Sequence, residues 1–333
     1  MNAALTLTSR RDAMVFREAF RISGYLFESM PAVIATLSDG TATGRGEAAG
    51  VYYLGDGPDQ IEHAIERCRG EVEAGIDREA LRRSLPPGGA RNALDCALWE
   101  LESHRAGVPV WRLAGVPEPK PLVTTFTLPA EDPAEILRRL AGFPMVRALK
   151  LKLDGELVAD SERVRAVRAA RPDVWLGVDA NQGYGGADLD ALAAMLVEQR
   201  VALLEQPVRR GEEALLDGWR SPVPIAADES ILDLAELEAQ HHRFQVLNIK
   251  LDKCGGLTEA LMMAERGRQL GLSIMVGNMG GATLSAAPAF VLAQLCDVVD
   301  LDGPWFVADD PHAARLYADG KIMVPSDVWG ASS

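Results

Sequence analysis

Charged residues interrupt every long apolar stretch of the 333-residue sequence, so no run reaches the length needed to span a bilayer. The opening segment, MNAALTLTSRRDAM, lacks the extended apolar stretch and small-residue cleavage site of a signal peptide, which sets a cytoplasmic expectation. Excess basic charge is also missing. With 34 Lys+Arg against 48 Asp+Glu the formal net charge is −14, which argues against nucleic acid and anionic membranes as partners, since both need basic footprints. An anionic small molecule stays allowed, because a metal ion and a few lysines reverse the local field. Cysteine is sparse: Cys68, Cys96, Cys254 and Cys296 stand far apart without metal-type spacing and read as reduced structural thiols. There is no internal repeat beyond an alternation of strands and helices, and no low-complexity segment.

What is present is ordinary globular material, 48% hydrophobic and 25% charged, in a length that fits a large barrel or a barrel with a companion domain. Residues 3–8 and 32–37 read as strands, with Asp39-Gly40 a turn signal after the second. Helical patterns follow at 58–75 and 88–106; the latter starts near a Pro-Pro-Gly-Gly break and carries Ala93, Leu94, Ala97, Leu98 and Leu101 at helical spacing. This predicts a small α+β domain ending near residue 118. From about 121 short apolar strands alternate with amphipathic helices: 121–128, 147–153, 174–180, 202–207, 224–229, 246–251, 273–278 and 298–303. Eight such strands predict a closed parallel barrel of the α/β class. A doubly wound open sheet is the alternative, but no Gly-rich phosphate loop follows the first strand of the series, and Gly255-Gly256 is too short to count as one.

Polar residues gather at the C-terminal ends of these strands, the face that holds the active site in such barrels. Asp179, Glu205 and Asp228 end three successive strands. Three converging carboxylates repel unless a divalent cation neutralises them, and hard oxygen ligands favour Mg²⁺, with Mn²⁺ a substitute. The bland alternative makes each acid an unrelated strand-end cap or salt-bridge partner. Lys150 and Lys152 alternate along the second strand and share a face, while Leu149, Leu151 and Leu153 suit the helix side. Two lysines turned into a barrel need a reason to be there; turned outward, they are simply solvated. Lys250 approaches from the opposite side, Asp252 shares its face if the strand continues, and Lys253 faces either the site or only the loop.

The order KxK, DAN, EQP, ADES and NIKxxKxGG resembles the enolase superfamily in its muconate-lactonizing-enzyme subgroup. The resemblance spans nearly the whole chain, including ALDCALWELESHRAGVPVWRLAG at 93–115. It implies a (β/α)7β-type barrel over 119–333 and an N-terminal α+β capping domain over 1–118, completed by C-terminal residues. It further implies Asp179, Glu205 and Asp228 as Mg²⁺ ligands, supported by Asn181 and Glu229. Lys152 and Lys250 become acid/base groups on opposite faces of the substrate, with Lys150 assisting near its carboxylate. Neighbouring cations would disfavour a further ammonium and leave Lys152 or Lys250 neutral enough to act as base.

Asp300 and Asp302, in VVDLDGP, resemble the DxD arrangement of dipeptide epimerases, where paired carboxylates meet a substrate ammonium. A solvated strand end is the plain alternative. Mandelate-racemase-like members carry a histidine at the end of strand seven; here that strand reads SIMVGN, and His241 and His242 precede strand six. Two departures bear on the substrate. Asn278 begins an Asn-Met-Gly-Gly run where many dipeptide epimerases carry an acid near a Met, and FRISGYLFES (20–29) has no arginine around Gly24–Tyr25, where glutamate-specific relatives carry one. Arg21 and Tyr25 are the candidates for that contact, and Ala-Glu and hydrophobic dipeptides stay equally open. Segments 20–29 and 50–57 are expected to cover the barrel mouth. The leading expectation is a Mg²⁺-dependent dipeptide epimerase moving a proton at the carbon next to a carboxylate. A cycloisomerase or succinylbenzoate-synthase-like lyase, and a catalytically silent ligand-binding barrel, are the alternatives, and a homo-oligomer is left open.

Overall fold

In a computed structural model, which describes residues 4–22, 24–143 and 145–332, the chain forms a small antiparallel sheet with helices, an aromatic hairpin, and an eight-stranded parallel barrel. The expected first strand therefore reaches the described residues from position 4 onward. The antiparallel sheet has the order β1 (Thr6–Asp12), β4 (Ala32–Ser38), β5 (Thr43–Ala48), and β2 (Val15–Ile22) pairs with β3 (Tyr25–Ser29) in a hairpin of its own. That hairpin and β5 went unanticipated. The expected helices run Pro58–Glu73 and Gly89–Ala106, with an additional one at Arg78–Ser84. Gly44 and Gly46 of β5 let the 89–106 helix lie directly on the sheet: a Cβ would stand 2.0 Å from the Ala97 carbonyl oxygen in one case and 2.1 Å from that of Ala93 in the other. The core between sheet and helices is apolar throughout, with Leu37, Ile61, Ile65, Leu94 and Leu101 at its centre.

The expected single strand at 121–128 divides at Thr124. Residues before it form β6 (Leu122–Val123), which pairs with β16 (Lys321–Ile322); β16 also pairs with β15 (Tyr317–Ala318). After it, β7 (Thr125–Leu128) opens the barrel. Then come β8 (Ala148–Lys152), β9 (Trp175–Asp179), β10 (Leu203–Glu205), β11 (Ile225–Ala227), β12 (Val246–Ile249), β13 (Ser273–Val276) and β14 (Val298–Val299). Each is hydrogen-bonded in parallel to the next. Between β14 and β7 side chains complete the circle. Leu301 N donates to Thr124 Oγ1 at 3.0 Å, Thr125 Oγ1 to Asp300 Oδ1 at 2.5 Å, and Thr127 N to Asp302 Oδ2 at 2.6 Å.

Alternation along these strands sorts the side chains into two environments. Leu149, Leu151, Leu176, Val178, Leu204, Leu247 and Ile249 face the helices and are buried in the main core. Inside the barrel, Leu203, Ala226, Val246 and Met275, with Trp175 and Val298 against them, form an apolar floor. Gly177 leaves room for that floor, since a Cβ there would stand 2.9 Å from the Trp175 ring. The next interior layer is charged.

Candidate active site

That layer holds Lys150, Lys152, Asp179 and Glu205, with Asp228 and Lys250 just past the ends of β11 and β12. Because β8 and β12 lie four places apart in an eight-stranded barrel, Lys152 and Lys250 approach from opposite sides, with the acids of β9 to β11 between them. Lys152 Nζ donates to Asp179 Oδ2 at 2.6 Å and Lys250 Nζ to Asp228 Oδ2 at 2.7 Å. Lys150 Nζ stands 3.1 Å from Asp179 Oδ2 and 2.8 Å from Glu205 Oε2, and donates to Asp300 Oδ2 at 2.9 Å. All are buried, Asp179 completely and Lys152 to 9% exposure. Gly277 makes space for Lys250, whose Cε would be 3.0 Å from a Cβ at that position.

The charges press on one another. Burial opposes ionisation of every carboxylate here, but the ammonium groups of Lys152 and Lys150 outweigh it at Asp179, and those of Lys250 and Lys253 at Asp228, so both are held below the usual range. Glu205 goes the other way, pushed up by burial and by Asp179. Burial likewise opposes the lysine charges, yet the acids facing them, Asp300 foremost for Lys150 and Asp228 for Lys250, hold both ammonium groups above the ordinary lysine range. The expected neutral lysine concerns the site with its cation bound; in the protein alone the carboxylates set the field at Lys150 and Lys250. Divalent positive charge on the same oxygens would reverse it.

The donor set fits such a cation. Asp179, Glu205 and Asp228 each offer an oxygen within 4.8 Å of the others. All three are hard carboxylate ligands, the chemistry Mg²⁺ prefers. Glu205 Oε2 is buried without a hydrogen bond, because Lys150, though near, is poorly aligned with it. Among the described residues, Asn181 Oδ1, Glu229 Oε2, Asn248 Oδ1 and Tyr53 Oη are orphaned in the same region. Buried polar groups normally find partners, so this concentration marks a place built for something else to enter. Asn181, Gln182 and Gln206, just beyond β9 and β10, adopt positive φ of 42°, 68° and 38°. Such strain persists only where surrounding structure enforces it.

Two residues hold Asp228: Lys253, whose direction the sequence left open, and Gln206, which sequence reasoning passed over. Lys253 does not face a loop: β12 stops at Ile249, a helical turn over Leu251–Cys254 follows, and Lys253 Nζ donates inward to Asp228 Oδ1 at 2.6 Å and to the carbonyls of Asp228, Ile231 and Asn248. The same turn corrects Asp252, which leaves the Lys250 face and accepts from Gly50 N at 2.9 Å, pinning the 50–57 loop to the barrel. Gln206 Oε1 accepts from Asp228 N and Ser230 N, while its Nε2 donates to Val208 O and Ser230 Oγ. Only the Gln of the EQP motif pointed to it.

Asp300 and Asp302 lie just past β14, and both line the cavity above the lysines. Their carboxylates take the seam hydrogen bonds, Lys150 at Asp300 and the Asn278 amide at Asp302 Oδ1. Asn278 Nδ2 donates to Asp300 O at 2.7 Å and its Oδ1 accepts from Gly280 N, so the amide holds the loop after β13. Asn181 and Glu229 also line the cavity. Arg21 does not: its side chain is exposed, and Ile22 lines the wall instead. Tyr25 is exposed too and packs against Phe27 and Tyr52 from outside, with ring centroids at 5.8 and 4.9 Å. The hairpin and the 50–57 loop do border the mouth, through Phe16, Phe20, Phe27, Tyr52 and Tyr53. His241 and His242 sit in a short 3-10 turn ahead of β12, away from the site, and the four cysteines are free thiols.

Glu47 steadies the 278–282 loop from behind. It is buried, accepts from Ala282 N at 2.7 Å through Oε1, and leaves Oε2 without a partner. Burial pushes its carboxyl up to about 8. The unfolded chain ionises near the ordinary value of about 4.3, so between there and 8 the folded protein holds the extra proton and stability falls as pH rises. We expect Glu47→Gln to flatten that stretch of the stability–pH profile, recovering on the order of 2–4 kcal/mol at pH 8 in urea denaturation. A profile as steep as that of the unaltered protein would remove Glu47 from the account.

The arrangement of acids and lysines on these strand ends was the feature carrying the sequence resemblance, and comparison with known proteins agrees with it. The family described as enolase C-terminal domain-like matches residues 132–328. The chain belongs to the enolase superfamily. Among its relatives, the L-Ala-D/L-Glu epimerase of Escherichia coli is 36% identical over 292 residues, covering 87% of this chain and 90% of that protein. The hydrophobic dipeptide epimerase of Roseobacter litoralis is 32% identical over 333 residues, covering 94% of each. The structure of a dipeptide epimerase from Methylococcus capsulatus, complexed with Mg and the dipeptide L-Arg-D-Lys, superposes with a TM-score of 0.87 at 27% identity, covering 97% of each chain. This superfamily member is thus an enzyme of the isomerase class, of the epimerase and racemase kind. Among the described residues no helix is long and apolar enough to cross a membrane.

Proposed function

We propose that the chain is a Mg²⁺-dependent dipeptide epimerase that inverts the carbon next to the substrate carboxylate by 1,1-proton transfer. The observation that carries the reading is the pair of buried lysines on opposite sides of the barrel with three carboxylates between them. Asp179, Glu205 and Asp228 hold the metal, with Asn181 and Glu229 beside them. Bound there, Mg²⁺ supplies positive charge to the substrate carboxylate as its α-proton leaves. Lys150 adds a second cation at that carboxylate. Lys152 and Lys250 flank the α-carbon. One, unprotonated, takes the proton from its side; the other, as ammonium, delivers a proton to the opposite face. Asp300 and Asp302 receive the substrate's ammonium group.

The superfamily relatives that act on dipeptides support this reading over a cycloisomerase or lyase. We further assign residues 1–118 to a capping domain and 119–333 to the barrel domain. The tail returns to complete the cap: Arg45 Nη2 donates to Val328 O at 2.6 Å and Gly330 N to Glu100 Oε1 at 3.1 Å. A cytoplasmic location fits this assignment. The deciding experiment incubates the protein with Mg²⁺ and a dipeptide library in D₂O and reads deuterium uptake by mass spectrometry. Uptake by a subset of dipeptides is expected, and its loss in Asp300→Asn and Asp302→Asn. No uptake with Mg²⁺ demonstrably bound would transfer the assignment to lyase or cycloisomerase chemistry.

A further inference from the structure

We infer that the site selects dipeptides whose C-terminal residue carries an apolar side chain, an inference that rests on the dipeptide reading above. Three of the four substituents of the reacting carbon are spoken for. On that reading the proton faces a lysine, the carboxylate faces Lys150 and the metal that the acids would hold, and the peptide nitrogen leads to the ammonium at Asp300 and Asp302. The side chain is left to point toward the mouth, whose apolar wall is Phe16, Phe20, Ile22, Phe27, Met279 and Phe306, with Tyr52 and Tyr53 also in the lining.

The wall is built in place rather than draped over the opening. Phe16 makes a backbone bridge with Val307, joining the hairpin to the segment after β14. The Phe20 and Phe306 rings meet edge to face at 5.1 Å. Phe27 packs on Tyr52 at 5.1 Å, and Met30 lies so close over Gly280 that a Cβ there would stand 3.2 Å from it. The Met-Gly-Gly run thus admits the hairpin's apolar residues to the cavity edge.

Charge is absent from this wall. Among the described residues lining the cavity, the cations are Lys150, Lys152 and Lys250, each already paired with an acid below. Arg17 and Arg21 of the hairpin are exposed and outside the lining. The lining acids are Asp228, Glu229, Asp300 and Asp302, all buried. A glutamate side chain placed against the wall would lose hydration and gain no counter-ion, and the lining acids that a lysine side chain would need are those assigned above to the metal and to the substrate's ammonium. An apolar side chain loses nothing and is removed from water.

The test measures initial rates of α-proton exchange in D₂O, with Mg²⁺, for L-Ala-L-Leu, L-Ala-L-Phe, L-Ala-L-Glu and L-Ala-L-Lys. Exchange of the Leu or Phe dipeptide is expected to exceed that of both charged ones by about ten-fold or more in kcat/KM. Ile22→Arg, which places a cation on the wall, is expected to move the Glu-to-Leu ratio about ten-fold toward glutamate. If the Glu or Lys dipeptide exchanges as fast as the apolar ones, the inference is overturned while the epimerase reading stands. If none of the four exchanges, and none in the wider library does, both fall together.

Discussion

Lys152→Ala and Lys250→Ala are each expected to lower epimerase turnover by about 10²–10⁴-fold, the usual contribution of a positioned acid or base. The two variants should nevertheless differ in what they retain. Inversion needs a group on each face of the α-carbon, whereas exchange with retention needs only one. Each variant keeps one lysine, so each should still exchange the α-proton of one epimer in D₂O and not of the other, with the preference reversed between them. Neither change strands an acid: Asp179 keeps Lys150 at 3.1 Å when Lys152 is lost, and Asp228 keeps Lys253 at 2.6 Å when Lys250 is lost. Each variant should therefore stay folded, so that its kinetic loss reports on the missing lysine. Equal and full epimerase activity in both variants would remove lysine chemistry from this barrel. Equal loss of exchange from both epimers in both variants would instead point to a binding role.

Why the lysines and acids were legible in the sequence follows from geometry. A barrel strand alternates strictly, so KLK and the strand-end acids declare their face as soon as the leucines between them are assigned to the helices. The hairpin over Val15–Ser29 gave no such signal. One edge of it faces solvent and the other a cavity, so neither face is core, and its exposure pattern is irregular. Arg21 was read as a substrate contact because spacing alone does not tell which edge of a two-stranded ribbon meets the barrel; the structure turns Ile22 inward. Lys253 was left open and Asp252 misplaced for a different reason. The period of side-chain direction changes from 2 to 3.6 at Leu251, where the strand becomes a helical turn ended by Gly255 at a φ of 76°. One residue of error in that boundary exchanges which of the two faces the site.

Glu205→Gln is expected to abolish the effect of Mg²⁺ on stability while leaving the metal-free protein at least as stable as before. The two halves of that expectation come from opposite sides of the same contact. In the metal-free protein Glu205 is buried beside Asp179, and its ionisation is opposed by both. Of the two lysines whose charge favours that ionisation, Lys150 retains Asp179 at 3.1 Å and Asp300 at 2.9 Å when Glu205 is replaced, and Lys250 retains Asp228 at 2.7 Å. An isosteric amide therefore removes a repelling charge without stranding a lysine, and Asn248 Nδ2, which donates to Glu205 Oε1 at 2.9 Å, can still donate to the amide oxygen. With the metal the balance changes sign. A ligand that binds only the folded state at 100 times its Kd stabilises it by about 2.7 kcal/mol, and the loss of one of three anionic ligands takes that away. Thermal unfolding with and without saturating Mg²⁺ separates the possibilities. The unaltered chain should gain several degrees and Glu205→Gln close to none, with calorimetric Mg²⁺ affinity falling in step. A chain whose midpoint ignores Mg²⁺, and drops sharply in Glu205→Gln, would have in Glu205 only a partner for Lys150, and the three strand-end acids would then be scaffolding.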